Sequence, residues 1–280
     1  MVDLSRSLRM EGVSDPGLIR DHNEDALGYD PALGYAVLAD GMGGYNAGEV
    51  ASGIAIEMMA HTVREGLATR AAAALDRRGV PHARTVLEEA VFQANSAIHG
   101  TAQAQPQCAG MGTTLVATLF FDNRVMVAHV GDSRCYRLRD DVLVQLTRDH
   151  SFLQEQIDSG LITPQEARLS HHKNLVTRAV GIDLSVEAEL HGYAVQPGDL
   201  YLLCSDGLND MLEDEEIAEV LSDLGGHPSL AVARLVECAN AAGGRDNVSV
   251  LLIEVKRPFP ARGTLWQKVS SLLGGGKSRI

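Results

Sequence analysis

The chain has 280 residues, 45% of them hydrophobic, enough to bury a core at the upper end of single-domain size. Its 24 basic and 37 acidic residues leave a net charge of -13. That excess excludes a general nucleic-acid binder, whose affinity rests on cations against phosphates, and disfavours an anionic membrane surface. An acidic enzyme can still act on phosphate where bound cations invert the local charge. Cys108, Cys135, Cys204 and Cys238 are widely spaced and form no CxxC pair. They read as reduced thiols, mostly buried, rather than disulfides or zinc ligands. The N-terminus, MVDLSRSLRM, lacks the apolar core of a signal peptide, and no run approaches the ~18 apolar residues of a membrane span. The expectation is a soluble, cytoplasmic protein.

Residues 25–40 are predicted to form two short strands joined at Asp30-Pro31. A long helix follows, capped by Asn46 and Glu49 and buried along Val50, Ile54, Met58 and Val63. A second helix is predicted from Thr85, with Glu88 completing a capping box, to about Ala104. Both are alanine-rich with one polar face, so each should pack on a sheet. Strands at 113–121 and 124–130 flank Asp122-Asn123, and strands at 135–139 and 142–146 flank Asp140-Asp141. Such short connections imply antiparallel hairpins. Residues 148–184 break into short helices, one opening at Thr163-Pro164-Gln165-Glu166. Strands return at 185–193 and 200–205, two helices follow, and 248–255 forms the last strand. After Lys256 the composition turns to Pro, Gly and Ser, which predicts one domain over 6–256 and a loose tail over 257–280. Within that tail, 265–273 has the spacing for one or two amphipathic helical turns. Strand-rich ends around helices predict an α+β fold of antiparallel sheets packed face to face and covered by helices.

Residues 39–44 read ADGMGG, an aspartate and three glycines after the apolar run 35–38. A tight turn would account for them, and so would a ligand that needs bare backbone nearby. Asp206 also closes a strand and precedes a glycine, while Asp246 opens one. In an antiparallel pair the start of one strand lies beside the end of its neighbour, so Asp206 and Asp246 can share an edge. The same reasoning places Asn23-Glu24-Asp25 next to Asp40. Singly each acid is an ordinary turn former. Together, unpaired carboxylates so close would repel unless cations lay between them. Hard divalent ions such as Mg²⁺ or Mn²⁺ take all-oxygen shells of this kind, and a glycine at 41 would let its carbonyl approach one.

Six stretches in order, RDHNED (20–25), DGMGG (40–44), GMGTT (110–114), GDSR (131–134), SDGLND (205–210) and Asp246-Asn247, give the sequence a strong resemblance to the PP2C-type, metal-dependent protein serine/threonine phosphatases of the compact bacterial kind. The resemblance spans residues 6 to about 255. It implies a four-layer α-β-β-α sandwich with a binuclear Mn/Mg centre at one end. By the same resemblance, Asp40 bridges the two metals and Gly41 adds its carbonyl. Asp206 and Asp246 hold one ion, Glu24 reaches the second largely through water, and Asp25 lies in or just behind that shell. A third, weaker metal would fall to Asp132 and Asp210, although Asp132 reads equally well as a hairpin aspartate bonding its own turn. Residues 148–184 match the family's variable flap beside the site.

Two ions ~3.5–4 Å apart can hold a shared water as hydroxide and polarise phosphoryl oxygens for in-line attack. Arg20 is the expected phosphate ligand, since its planar fork can bind two phosphoryl oxygens; a surface salt bridge is the plainer reading. Met42 is a departure, because many eukaryotic members have histidine there and methionine cannot donate a proton. His129 reads as a core histidine and His150 as the start of a helix. His171 and His172 fall in the expected flap, and the proton donor is left unassigned. The implied activity is hydrolysis of phosphoserine and phosphothreonine in proteins by a monomer, opposing a cytoplasmic serine/threonine kinase. The alternatives are a phosphatase dedicated to one signalling regulator and a non-catalytic, phosphoprotein-binding pseudophosphatase.

Overall fold

The computed structural model describes residues 2–44, 47–168, 170 and 175–261. In chain order these form β1 (Leu8–Asp15), β2 (Asp25–Asp30), β3 (Tyr35–Met42), α1 (Ala47–Thr69), α2 (His82–Ala104), β4 (Gly112–Thr113), β5 (Leu115–Phe121), β6 (Arg124–Val130), β7 (Arg134–Arg139) and β8 (Val142–Gln145). There follow α3 (Phe152–Asp158), α4 (Pro164–Arg168), β9 (Glu189–Ala194), β10 (Leu200–Cys204), α5 (Asp206–Asn209), α6 (Asp214–Leu224), α7 (Pro228–Ala241) and β11 (Val248–Val255). One sheet runs β1-β11-β10-β7-β8 and the other β2-β3-β5-β6-β9, with β4 paired to the end of β3. The named strand pairings are antiparallel.

Strand alternation builds the layers. On β3, Ala36 and Leu38 face the seam between the sheets with Leu203, Leu251 and Ile253, while Tyr35, Val37 and Ala39 face α1 and α2. On β11, Leu251, Ile253 and Val255 enter the seam, and Val248, Val250 and Leu252 pack with α6 and α7. Strands covered on both faces are apolar at nearly every position, which is why they read as continuous hydrophobic runs. The result is the expected α+β sandwich of helix, sheet, sheet and helix.

Several local expectations hold. Asp122 and Asn123, and likewise Asp140 and Asp141, all take positive φ (47°, 55°, 51° and 59°), the paired left-handed geometry of two-residue hairpins. Thr163 and Glu166 form the predicted capping box, Glu166 accepting from the Thr163 backbone at 2.7 Å. Others fail for identifiable reasons. β1 has no counterpart among the predicted strands, because beyond Leu8 and Met10 it offers only Gly12 and Ser14 to the apolar face; its pairing with β11 unites the two ends of the sequence. α2 starts at His82 behind Pro81, and Glu88 pairs with Arg84 at 2.8 Å instead of capping. α1 buries Ala51, Ala55, Met59, Val63 and Leu67, leaving Val50 38% exposed. Of the predicted face, Val63 is buried in this stripe and Ile54 and Met58 pack at its edge, so the buried face is rotated rather than replaced and only Val50 turns outward.

Asp40 does not end its strand. β3 continues through Gly41 and Met42, which pair with Thr113 and Gly112. Gly41 is needed for packing: a Cβ there would lie 2.1 Å from the Gly48 carbonyl oxygen on α1 and 2.7 Å from that of Glu24. Gly41→Ala is therefore expected to push α1 off β3 and cost about 1–3 kcal/mol, read as a lowered denaturant midpoint. An unchanged midpoint would mean the crossing is looser than these distances.

Past Lys256 the chain stays on the body as far as Ala261. Phe259 is 6% exposed with its ring against Phe120, and the Phe259 and Ala261 amides donate to Asn123 and Asp122 at the β5–β6 hairpin. The tail expected from 257 is thus docked over its first five residues. Asn46, His171, His172 and residues 265–273 lie outside the described residues. No described helix is long and apolar enough to cross a membrane. The four cysteines are free thiols, three of them buried.

Candidate metal centre and active site

Pairing register assembles the site. Asp25 stands directly opposite Asp40 across β2 and β3. In the other sheet, the Ser205 amide donates to Ser249 of β11, which carries the next residue, Asp206, to the same rim; Asp206 opens α5 rather than ending β10. Ser205 Oγ then bridges the sheets, donating to Asp25 Oδ2 at 2.8 Å and accepting from the Ser249 amide at 2.9 Å. Asn247, two residues short of the middle of this contact, ties in the remaining segment. Its Oδ1 accepts from the Glu24 amide and its Nδ2 donates to Pro16 and His22 carbonyls.

A cleft of about 240 Å³ opens at this rim. Of the residues singled out in the sequence, Arg20, Glu24, Asp40, Gly41, Asp132, Asp206 and Asp246 line it, together with Met42. Asp25 sits behind it. Asp210 lines a neighbouring depression that shares Asp132 and Asp206 as its wall. The four segments predicted to share one rim do so.

Electrostatically the described residues lining it form a cluster of acids with one cation. Desolvation and the adjacent Asp25, Asp206, Asp132 and Asp246 push the Asp40 carboxyl well above the usual carboxylate range. Desolvation with Asp132, Asp210 and Asp246 does the same to Asp206. Asp25 is raised to about 6 and Asp132 to about 7, both mainly by desolvation. Glu24 Oε1 and Asp25 Oδ1 are buried with no hydrogen-bond partner. Buried, mutually repelling carboxylates with orphaned oxygens fit a hard divalent cation and little else. The cation present is Arg20, whose Nη2 donates to Asp246 Oδ2 at 2.6 Å while half its side chain stays exposed. Arg20 thus makes the salt bridge that was the plainer reading of it, at the acid rim itself.

No histidine lines the cleft among the described residues, so Met42 has no neighbouring imidazole in its place. His129 is buried with Nε2 at 2.8 Å from the Arg148 carbonyl, as a core histidine would be. A helix does begin just after His150, but its cap is Ser151, whose Oγ accepts from the Gln154 amide at the start of α3. Sequence reasoning assigned no role to Asn247, Ser205, Ser249 or Thr114. Thr114 fixes Asp40, its amide donating to the Asp40 carbonyl at 2.8 Å and its Oγ1 accepting from the Asp40 amide. All four act through contacts with distant segments, a role that leaves no spacing signature; only the places of Thr114, Ser205 and Asn247 inside the quoted motifs hint at it.

These features have counterparts in known proteins. Residues 20–247 match the family model for protein phosphatase 2C. The serine/threonine protein phosphatase PstP of Mycobacterium tuberculosis is 41% identical over 257 residues, 91% of this chain but 46% of that protein. The chain thus spans about half the length of that relative. The serine/threonine phosphatase stp of Listeria innocua is 36% identical, covering 86% of this chain and 93% of its own length. The crystal structure of the PstP catalytic domain in complex with 2 manganese ions superposes with a TM-score of 0.78 at 41% identity, covering 89% of this chain and 99% of that one. The chain belongs to the protein phosphatase 2C family of metal-dependent serine/threonine protein phosphatases.

Proposed function

We propose that this protein hydrolyses phosphoserine and phosphothreonine esters in proteins, using Mn²⁺ or Mg²⁺ held at the acidic cleft. The observation that carries the reading is the cleft itself, where carboxylates from five segments converge and Glu24 and, behind it, Asp25 each bury an oxygen with no partner. Asp40, the Gly41 carbonyl, Asp206, Asp246 and Glu24 would hold two ions, with Asp25 behind them and Asp132 and Asp210 serving a third. When bound, such ions supply Lewis acidity toward phosphoryl oxygens and a nucleophile drawn from water at neutral pH. Arg20 would swing its half-exposed guanidinium from Asp246 to two phosphoryl oxygens and so orient the ester. Met42 contributes contact and no proton.

The catalytic unit would be residues 6–256 with 257–261 docked on it, acting as a monomer in the cytoplasm and opposing a serine/threonine kinase. Free, buried thiols suit that reducing compartment. A non-catalytic phosphoprotein binder would have no use for so costly a set of buried carboxylates, and a phosphatase confined to one regulator would share the same centre.

Chelation tests the reading. Stripping divalent cations is expected to abolish hydrolysis of an aryl phosphate and a phosphothreonine peptide, and added Mn²⁺ to restore both. Full turnover in a metal-free sample would sink it; metal binding by calorimetry without turnover would favour the binder.

A further inference from the structure

His150 lies outside the cleft yet grips the turn that carries Asp132. Its backbone amide donates to the Gly131 carbonyl at 2.9 Å, and its Nδ1 accepts from the Gly131 amide at 3.1 Å. Both polar groups of Gly131 are thus satisfied by a single residue that is itself 8% exposed. Gly131 has φ of +100°, and a Cβ there would lie 2.7 Å from Thr114 Cβ, so the turn is held in a conformation open only to glycine. On its far side Ser133 Oγ bonds Thr114 Oγ1 at 2.7 Å, and Thr114 is the residue that holds Asp40. His150 also reaches the other border of the cleft. Its carbonyl accepts from Thr177, and Ser151 bridges to Val176, which lines the cleft.

An imidazole that accepts at Nδ1 must carry its proton at Nε2. That nitrogen faces Glu189 Oε1 at 3.2 Å, which can accept it, and the ring stacks on His129 at 4.7 Å. His129, His150 and Glu189 are close enough together to hold a metal ion by distance alone. Their surroundings argue otherwise: His129 Nε2 is hydrogen-bonded to the Arg148 carbonyl and His150 Nδ1 to the Gly131 amide, while the Arg178 guanidinium, a donor that cannot bond a protonated Nε2, lies 3.3 Å from that nitrogen as a nearby positive charge. A cation already occupies the approach. Desolvation lowers the pKa of both histidines, which keeps the neutral, accepting form in place at neutral pH.

We propose that His150 is a positioning residue for the metal centre: through Nδ1 and its backbone it fixes the Gly131 turn and thereby the direction in which Asp132 meets the cleft. The proposal rests on the metal-dependent reading above, and its test separates the two. Asparagine places an acceptor oxygen where Nδ1 stands, whereas glutamine reaches the Nε2 position and leaves the Gly131 amide without a partner. In the full chain, His150→Gln is expected to speed hydrogen exchange of the Gly131 amide in metal-free protein. It should also raise the Mn²⁺ concentration for half-maximal hydrolysis of a phosphothreonine peptide by about 10- to 100-fold, the range for outer partners of metal ligands. His150→Asn should stay close to the parent in both. Equal losses in the two variants, or a lower melting temperature in His150→Gln without a changed Mn²⁺ requirement, would reduce His150 to packing and overturn the proposal. A parent with no Mn²⁺-dependent turnover would overturn the functional reading instead, and amide exchange with calorimetric Mn²⁺ titration would still decide the role of His150.

Discussion

Asp206→Asn is expected to lower kcat/KM on every phosphate ester by at least about 100-fold, since even outer partners of metal ligands reach that range, while raising the melting temperature of the metal-free protein. The two effects have one cause. Asp206 is held well above the ordinary carboxylate range by desolvation and by Asp132, Asp210 and Asp246, so its charge opposes folding until a cation arrives. An amide keeps the shape and removes the charge. Each kcal/mol of relieved repulsion raises the melting temperature by roughly 2–4 °C in a domain of this size. A variant that lost activity and melted lower in the absence of metal would make Asp206 a structural residue.

The parent should show the same conflict as a pH dependence. Asp25 and Asp132 are raised from 3.8 to about 6 and about 7 on folding, so between those limits the folded protein binds more protons than the unfolded chain. Stability of the metal-free protein should therefore fall as pH rises from about 4 to about 7. Below that window both states are protonated and these groups contribute nothing. Saturating Mn²⁺ should remove the decline, because it takes over the charge that protons otherwise cancel. Thermal melts across this range, with and without Mn²⁺, measure it; a metal-free melting temperature that climbs through the window would contradict the cluster's electrostatics.

Arg20→Ala is expected to cost about 10- to 150-fold in kcat/KM, the equivalent of roughly 1.5–3 kcal/mol for one charge-assisted bidentate contact. The loss should appear in KM for aryl phosphate and phosphothreonine peptide alike, because the contact is to the phosphoryl group they share. It extends to kcat if the fork grips the oxygens more tightly as charge moves in the transition state. The pairing with Asp246 sharpens the accompanying expectation. If Asp246 holds a metal as proposed, removing the cation that pairs with it should leave Mn²⁺ affinity unchanged or tighter, never weaker. Lysine should recover only part of the rate, as a point charge without the fork. Steady-state kinetics beside calorimetric titration check both halves. Unchanged kinetics would leave Arg20 a rim salt bridge, and weakened metal binding would make it a structural residue.

By itself the sequence determined the architecture and most of the cleft. Strands buried on both faces show as apolar runs, two-residue hairpins show as Asp-Asn and Asp-Asp, and the acids that meet stand on or close beside strands that antiparallel pairing brings together, Asp25 directly opposite Asp40. Family likeness then carried Arg20, Glu24, Asp40, Gly41, Asp132, Asp206 and Asp246 to positions that share one cleft. Only the tertiary structure decided what depends on contacts between distant backbones. That β1 is a strand follows from β11 lying at the opposite end of the chain, and that Gly41 must be glycine follows from α1 crossing 2.1 Å from where its Cβ would be. The split of Asp25 and Asp210 from the cleft, the grip of Asn247 on the Glu24 segment and that of His150 on Gly131 are of the same kind. Local propensity records what a residue prefers for its own backbone, and none of these roles is local: each hydrogen bond or close approach exists only once two sheets and a helix have been brought to the same rim.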